Sequence, residues 1–386
     1  MFTCVSGLMG REILTIQVGG SGETLGKEFW KTARGEIFFN QGNIPRLIKC
    51  NISNGIVSSD SSEGCGTSSN CYAKAFHTIG PSVAHCAVNE VRRELEKCDS
   101  VQAIQFFHSI GGGTGSGLTG LVLKSVAELL GSRSVVLYSV CNTQTTTVLE
   151  ALNATLSLQD LCEYCHMVFP FKNAALMAAN LTGLTASLQF PGGSLNADMR
   201  KLHSSLVPFR RAHFLQAVTV RGKLSPLDLA HKALVGRDRY LATFLAYSGE
   251  SISPSEVDSV TASLQQPDSA LDPFFPDWIP NSVSASICGH GKVPSLTCVT
   301  NSTGISRFLD RITNAFDKQY LVKSYMHTFA EHGIHPEEML EARNLVKSVS
   351  NSYLEYSKWN DKITGEMNIE QTKIANELKD LNDCFI

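Results

Sequence analysis

The residues best suited to chemistry lie in one run, His108-Ser109-Ile110-Gly111-Gly112-Gly113-Thr114-Gly115-Ser116-Gly117. Glycines leave out the Cβ atoms that hold an anion away from the backbone, and a helix starting at such a loop adds the partial positive charge of its first N–H groups. Ser109, Thr114 and Ser116 add hydroxyls. The chemistry indicated is phosphate binding. A plain tight turn needs fewer glycines than this. A P-loop of the form GxxxxGK[ST] needs a lysine, and Leu118 follows the last glycine instead. A dinucleotide fingerprint can be drawn through Gly115, Gly117 and Gly120, but the next strand, 134–140, runs into Cys141-Asn142 with no acid for a ribose hydroxyl.

Such a loop works only if a strand and a helix hold it. Residues 101–107, Val-Gln-Ala-Ile-Gln-Phe-Phe, form a short apolar and aromatic run that predicts a buried strand. Leu118, Leu121, Val122, Ser125, Val126 and Leu129 then recur at helical spacing, with Gly131 as the stop. Upstream, residues 12–18 predict a first strand. Gly19-Gly20-Ser21-Gly22 turns it into a helix carrying Leu25, Phe29 and Trp30, a second platform for phosphate or base. The alternation up to Val140 indicates an α/β fold. From Leu202 the pattern changes to short strands at 207–209, 213–215 and 218–220, a helical piece at 224–235 and a buried strand at 239–247. Pro336-Glu337-Glu338 opens a helix with proline in the first turn and acids at its positive end. Met339, Ala342, Val346, Val349, Tyr353 and Tyr356 are expected to pack it onto the body rather than into a coiled coil.

The chain has 386 residues, 43% hydrophobic and 18% charged, with a net charge of −3, which suits two or three globular domains and leaves no nucleic-acid footprint. No apolar run reaches the length of a membrane span, and residues 1–10 lack the basic start of a signal peptide. The 12 cysteines are scattered, as expected of reduced thiols in the cytoplasm. Cys162-Glu-Tyr-Cys165-His166 matches a haem-attachment spacing, but it follows an apolar helix and lacks a second ligand pair, so buried structural thiols are expected.

The glycine run, with His108-Ser109 before it, resembles the signature loop of tubulins and their bacterial cell-division relatives. Further blocks fall in tubulin order: Arg11-Glu-Ile, Phe29-Trp30, Asn153-Ala-Thr-Leu-Ser, Phe190-Pro-Gly, Leu195-Asn-Ala-Asp198, Leu206-Val-Pro-Phe, Trp278-Ile-Pro-Asn and Asn301-Ser-Thr. The resemblance runs from Arg11 to Tyr356 and is greatest to a β-tubulin with internal deletions. It implies an α/β, tubulin-like nucleotide-binding domain with a mostly parallel sheet over 11–200. An intermediate α+β domain would follow over 201–320 and a C-terminal helical region over 321–386. It also implies a GTP-binding structural subunit of the microtubule cytoskeleton, in the cytoplasm. GTP or GDP would be held by Gly19, Gly20, Ser21, Ser109, Gly111, Gly112, Gly113, Thr114, Gly115, Ser116, Glu150 and Asn173. The partner would be α-tubulin or another tubulin subunit, met head to tail through a loop carrying Asn196, Asp198 and Lys201. Neither nucleic acid nor membrane is an expected partner. A non-polymerising pseudo-subunit or capping partner of tubulin is the second reading, and a dinucleotide-dependent oxidoreductase a remote third.

The departures from tubulin bear on activity. Gly20 and Ser21 stand where tubulins have a glutamine and usually a cysteine. Asn51 and Ser53 replace an acidic pair near magnesium and phosphate, and an amide and a hydroxyl bind a hard cation more weakly than carboxylates. Thr146 replaces an aspartate, and Ala174 stands where a second guanine-reading asparagine would align. Lys201, as in β-tubulins, offers a neighbour no acid to activate water. Mg2+ binding and hydrolysis are therefore expected to be weak. Residues 33–36 and 220–223 replace two longer loops that make lateral contacts. The tail 358–386 mixes acids with lysines instead of forming an acidic end.

Overall fold

The computed structural model describes residues 12–40, 43–52, 55–57, 70–131, 133–141, 147–172, 174–190, 198–234, 238–266, 274–276, 279 and 282–358. The chain divides into two compact units built from separated segments. The first takes Met1–Val168, Asn173–Ala178 and Ile312–Val346, the second Phe169–Lys172, Ala179–Arg311 and Lys347–Ile386.

In chain order the first elements are β1 (Glu12–Val18), α1 (Gly19–Thr32), β2 (Leu47–Asn51), β3 (Gly55–Val57), α2 (Gly80–Glu96), β4 (Val101–Ser109), α3 (Thr119–Leu130), β5 (Ser134–Val140), α4 (Val148–Tyr164) and β6 (Met167–Phe171). They form a sheet of order β3-β2-β1-β4-β5-β6. β1 runs parallel to β2 and β4, and β4 to β5, while β3 is antiparallel at the edge. Every residue of β1 is buried, the polar Glu12, Thr15 and Gln17 among them. Pairing of Val18 with Cys50, Gln17 with Phe107 and Ser109 with Val140 brings the carboxyl ends of four strands to one edge, where ligands of such sheets bind.

Aromatic residues fix that edge from beneath. Phe29 of α1 meets Phe107 edge-on at 5.5 Å between ring centres and Phe38 at 5.1 Å, and Phe107 meets Tyr138 at 5.7 Å. Such pairs contribute about 1 kcal/mol each beyond burial. α1 ends at Thr32, and Ala33 and Phe38, on the way to β2, are fully buried.

The later elements are α5 (Ala174–Leu184), α6 (Ala186–Gln189), α7 (Met199–Leu206), β7 (Gln216–Arg221), α8 (Pro226–Ala233), β8 (Tyr240–Ser248), α9 (Pro254–Leu264), β9 (Val283–Cys288), β10 (Ser295–Ser302), α10 (Ile305–Leu321), α11 (Met326–Glu331) and α12 (Pro336–Lys358). The second sheet has the order β7-β10-β8-β9. β10 is antiparallel to β7 and β8, and β9 runs parallel to β8. α8 and α9 bury Leu229, Val257, Val260 and Leu264 with Tyr247 and Leu296 of this sheet. The strand expected at 207–209 is absent: these residues form a turn after α7. Pro208 has no N–H to give a ladder. Asn301 satisfies the turn's carbonyls, donating to Leu206 O at 2.8 Å and Ala212 O at 2.6 Å. β7 passes to α8 through residues 222–225 alone, with Ser225 as the helix cap.

Met339, Ala342, Val346, Val349 and Tyr353 of α12 are all buried, so its apolar stripe packs onto the body as expected. In the first unit Met339 and Ala342 join Phe316 and Phe329 around Cys71 and Tyr72. In the second, Phe214 N donates to Tyr353 Oη at 3.0 Å. Among the described residues no helix is long and apolar enough to cross a membrane.

Candidate functional site

The glycine run lies at the carboxyl edge, between the end of β4 and a π-helical turn, Thr114–Leu118, that leads straight into α3. Among the described residues, the amides of Gly111 and Gly112 donate to no protein acceptor. Both glycines are only half-buried, so their N–H groups are available to an anion. The rest of the loop is tied down. Ser116 is fully buried and its hydroxyl donates to Gly112 O at 2.7 Å. Thr119 Oγ1 donates to Gly115 O at 2.7 Å. Thr114 is half-buried.

His108 secures the loop from below. It has no solvent exposure, and burial pushes its imidazole down to about 4, so the ring is neutral near pH 7. Its Nδ1 lies 3.1 Å from Gly115 O and its Nε2 2.7 Å from Ser139 Oγ. A carbonyl can only accept, so Nδ1 carries the proton and Nε2 accepts from the serine hydroxyl.

Three glycines are fixed by close approach. A Cβ on Gly115 would stand 2.7 Å from both the carbonyl and the hydroxyl oxygen of Ser109. Gly19 has φ of +70°, and a Cβ there would lie 3.4 Å from the Gly115 amide, so the β1–α1 turn and the glycine run face each other. Gly20 and Ser21 are exposed beside it. A side chain at Gly113 would be expected to enter the phosphate space. In the structure it would instead strike the backbone of Asn70 and Cys71, with Asn70 C at 2.6 Å. Gly111 abuts the stem of Glu150, which sits in the first turn of α4.

Two residues that the sequence reading left without a role hold this loop. Asn70, in a left-handed conformation (φ 55°), accepts from Gly113 N through its Oδ1 at 3.0 Å. Asn153, fully buried in α4, donates from Nδ2 to Asn70 O and Gly111 O, both at 2.9 Å, and accepts from Tyr72 N at 2.9 Å. A signal for Asn153 was present: an asparagine among leucines on a buried helix must find polar partners. Its partners lie between 42 and 83 positions away, so the sequence does not reveal them.

Tyr72 also donates from Oη to Asp160 Oδ2 at 2.6 Å. Burial pushes the Asp160 carboxyl up to about 7, the Tyr72 hydroxyl opposing it. In the unfolded chain the group titrates near 3.8. The folded state therefore keeps a proton that the unfolded state has lost, so this stabilising contribution is complete below about pH 4 and lost as pH rises through about 7. The expected result is that Asp160→Asn flattens the fall in melting temperature between about pH 5 and pH 8. At the upper end it is more stable than wild type by about 1–3 kcal/mol. An unchanged pH profile in the variant would show that Asp160 titrates normally.

Cys162 and Cys165, expected to be buried, are half-buried. His166 Nδ1 accepts from Val135 N at 3.1 Å while its own N donates to Val135 O at 3.0 Å, and burial pushes the Cys162 thiol up to about 12. Among the described residues no group of three or more His, Cys, Asp or Glu is placed to hold a metal. Asp198 caps α7, accepting from Arg200 N at 2.9 Å, and Lys201 is exposed one turn on. Ser53, Thr146, Asn173 and Asn196 lie outside the described residues, as does the tail beyond Lys358.

Comparison with known proteins agrees with this geometry. Residues 12–180 match the Tubulin/FtsZ family, GTPase domain. Over 90% of its length the chain is 27% identical to a tubulin beta chain of Saccharomyces cerevisiae, covering 93% of that protein. It is 28% identical to a tubulin beta chain of Enteroctopus dofleini and to a tubulin beta-2 chain of Emericella nidulans, covering 95% of each. These alignments extend over 431 positions against 386 residues here, so the relatives carry residues that this chain lacks. The glycine loop at the carboxyl edge of a mostly parallel sheet, the GTPase-domain match over residues 12–180 and the similarity over 90% of the chain together support a likeness to a divergent tubulin.

Proposed function

We propose that this protein is a guanine-nucleotide-binding tubulin subunit of the cytoplasmic cytoskeleton. In this reading it joins another tubulin end to end but hydrolyses GTP poorly and makes weak lateral contacts. The observation that carries the proposal is the pair of amides at Gly111 and Gly112, which meet no acceptor among the described residues, in a loop braced by His108, Asn70 and Asn153 inside a domain that matches a GTPase family. Ser109, Thr114 and the Gly19–Ser21 turn would complete the phosphate site. Glu150 and Asn173 are assigned to the nucleoside and Asn196, Asp198 and Lys201 to the end-to-end contact.

Poor hydrolysis follows from chemistry. Asn51 and Ser53 bring no charge to a cation, and Lys201 brings a neighbour's nucleotide no general base. Weak lateral contact follows from the segments 33–36 and 220–223, which by resemblance replace two longer loops. A wall is built from many repeated weak contacts, so a modest loss per subunit is multiplied along it. The expected result of sedimentation and negative-stain microscopy with GTP is short filaments or end-bound complexes with α-tubulin, and no tubes from this chain alone. Closed tubes of the pure chain would refute the lateral part of the proposal. Binding to α-tubulin ends without filaments would favour a capping role.

A further inference from the structure

The phosphate loop leaves one question of charge. A nucleoside polyphosphate is bound with a hard cation, which needs oxygen donors from the protein in addition to the phosphates. The residues at the end of β2 supply no carboxylate. One is supplied from α1. Glu23 lies one helical turn past Gly19, about 6 Å along the axis, and Gly19 itself faces the amide of Gly115. Glu23 Oε1 accepts from Asn51 Nδ2 at 3.1 Å, across the gap between α1 and the end of β2.

We infer that Glu23, oriented by Asn51, is the protein's carboxylate for the Mg2+ that accompanies a guanine nucleotide at the glycine loop. The inference rests on the proposed nucleotide site. Several observations favour it. Glu23 is half-buried, which limits the rotamers open to it. The Asn51 amide occupies one carboxylate oxygen and directs the other, as hydrogen-bond partners of metal ligands do. Mg2+ keeps several waters and takes one or two carboxylates together with substrate phosphates, so a single protein carboxylate is enough. The other nearby carboxylate, Glu150, has its stem against Gly111 at the start of α4, on the far side of the loop from β2. An amide on the strand with an acid on the helix supplies one carboxylate where an acidic pair would supply two, so the cation is held but less strongly.

The test is calorimetric titration of GDP and of a non-hydrolysable GTP analogue, each with and without Mg2+, on four full-length proteins. In the wild type, Mg2+ is expected to tighten the triphosphate analogue by about tenfold, and in Glu23→Gln that gain falls to about twofold or less. Affinity without Mg2+ changes little in Glu23→Gln. The exchange variant Glu23→Asn/Asn51→Asp, which moves the carboxylate to the strand, regains the Mg2+ dependence. Glu150→Gln keeps the ratio while losing affinity in both conditions. A Mg2+ gain unchanged in Glu23→Gln would show that Glu23 only ties helix to strand. A wild type that binds nucleotide without any Mg2+ effect would overturn the inference while leaving the nucleotide site standing. No binding in any condition would overturn the site and the inference together.

Discussion

Replacing Gly113 with alanine is expected to abolish guanine-nucleotide binding and to cost the domain about 2 kcal/mol or more, the scale of an overpacked core. The new Cβ would meet the backbone of Asn70 and Cys71, with Asn70 C at 2.6 Å and Asn70 Cα at 2.9 Å. Backbone cannot step aside as a flexible side chain would. Moving it would also break the Gly113–Asn70 hydrogen bond and shift the segment that Tyr72 anchors. Gly112→Ala is the control. Its Cβ would have Ser109 Oγ at 3.5 Å and Asn70 Oδ1 at 3.8 Å, ordinary contacts that leave the fold intact. That Cβ would nevertheless border the amides of Gly111 and Gly112, so affinity should fall while the melting temperature holds. Thermal melts and calorimetry on the two variants separate packing from ligand contact. A Gly113→Ala protein that melts like wild type would contradict the account of this position.

Asn153 carries the second large effect. Its carboxamide satisfies Tyr72 N, Asn70 O and Gly111 O, and the residue has no exposure. Truncation to alanine leaves the buried Tyr72 N–H unpaired and releases two carbonyls that water reaches in part, since Gly111 is half-buried and Asn70 exposed; the expected loss is about 2–3 kcal/mol. Asn153→Asp is the more informative change. It keeps the acceptor for Tyr72 N but turns an oxygen toward two carbonyls that need a donor. It should be at least as destabilising as alanine above the carboxyl's titration, and less so in acid, where the protonated carboxyl can donate. Denaturant unfolding at two pH values reads this directly. Equal stability of wild type and both variants would mean that the loop does not depend on Asn153.

These two positions also mark how far the sequence could be read. The strand at β4, the loop and the helix α3 with its stop at Gly131 were legible because glycine content and apolar spacing are local signals. The α/β class followed from alternation, the mostly parallel sheet from the resemblance, and the stripe on α12 from its period. The reasons behind individual residues were less accessible. Gly113 announced a need for space, but its neighbour is Asn70 and Cys71 rather than a ligand, and only the fold brings those segments together. The π-helical turns at Lys74–Ile79 and Thr114–Leu118 have no periodic signature short enough to notice. The strand expected at 207–209 failed because apolar content outweighed Pro208 in the reading. The contact between Glu23 and Asn51, twenty-eight residues apart, has no local signal in the sequence.

The central claim is that the glycine loop binds guanine nucleotide, and one titration tests it most directly. Purified full-length protein is titrated calorimetrically with GDP and, separately, with NAD and NADP. The account predicts a saturable heat for GDP, lost in Gly113→Ala, and none for either dinucleotide. No heat with GDP up to millimolar concentration, or saturable binding of a dinucleotide instead, would contradict it.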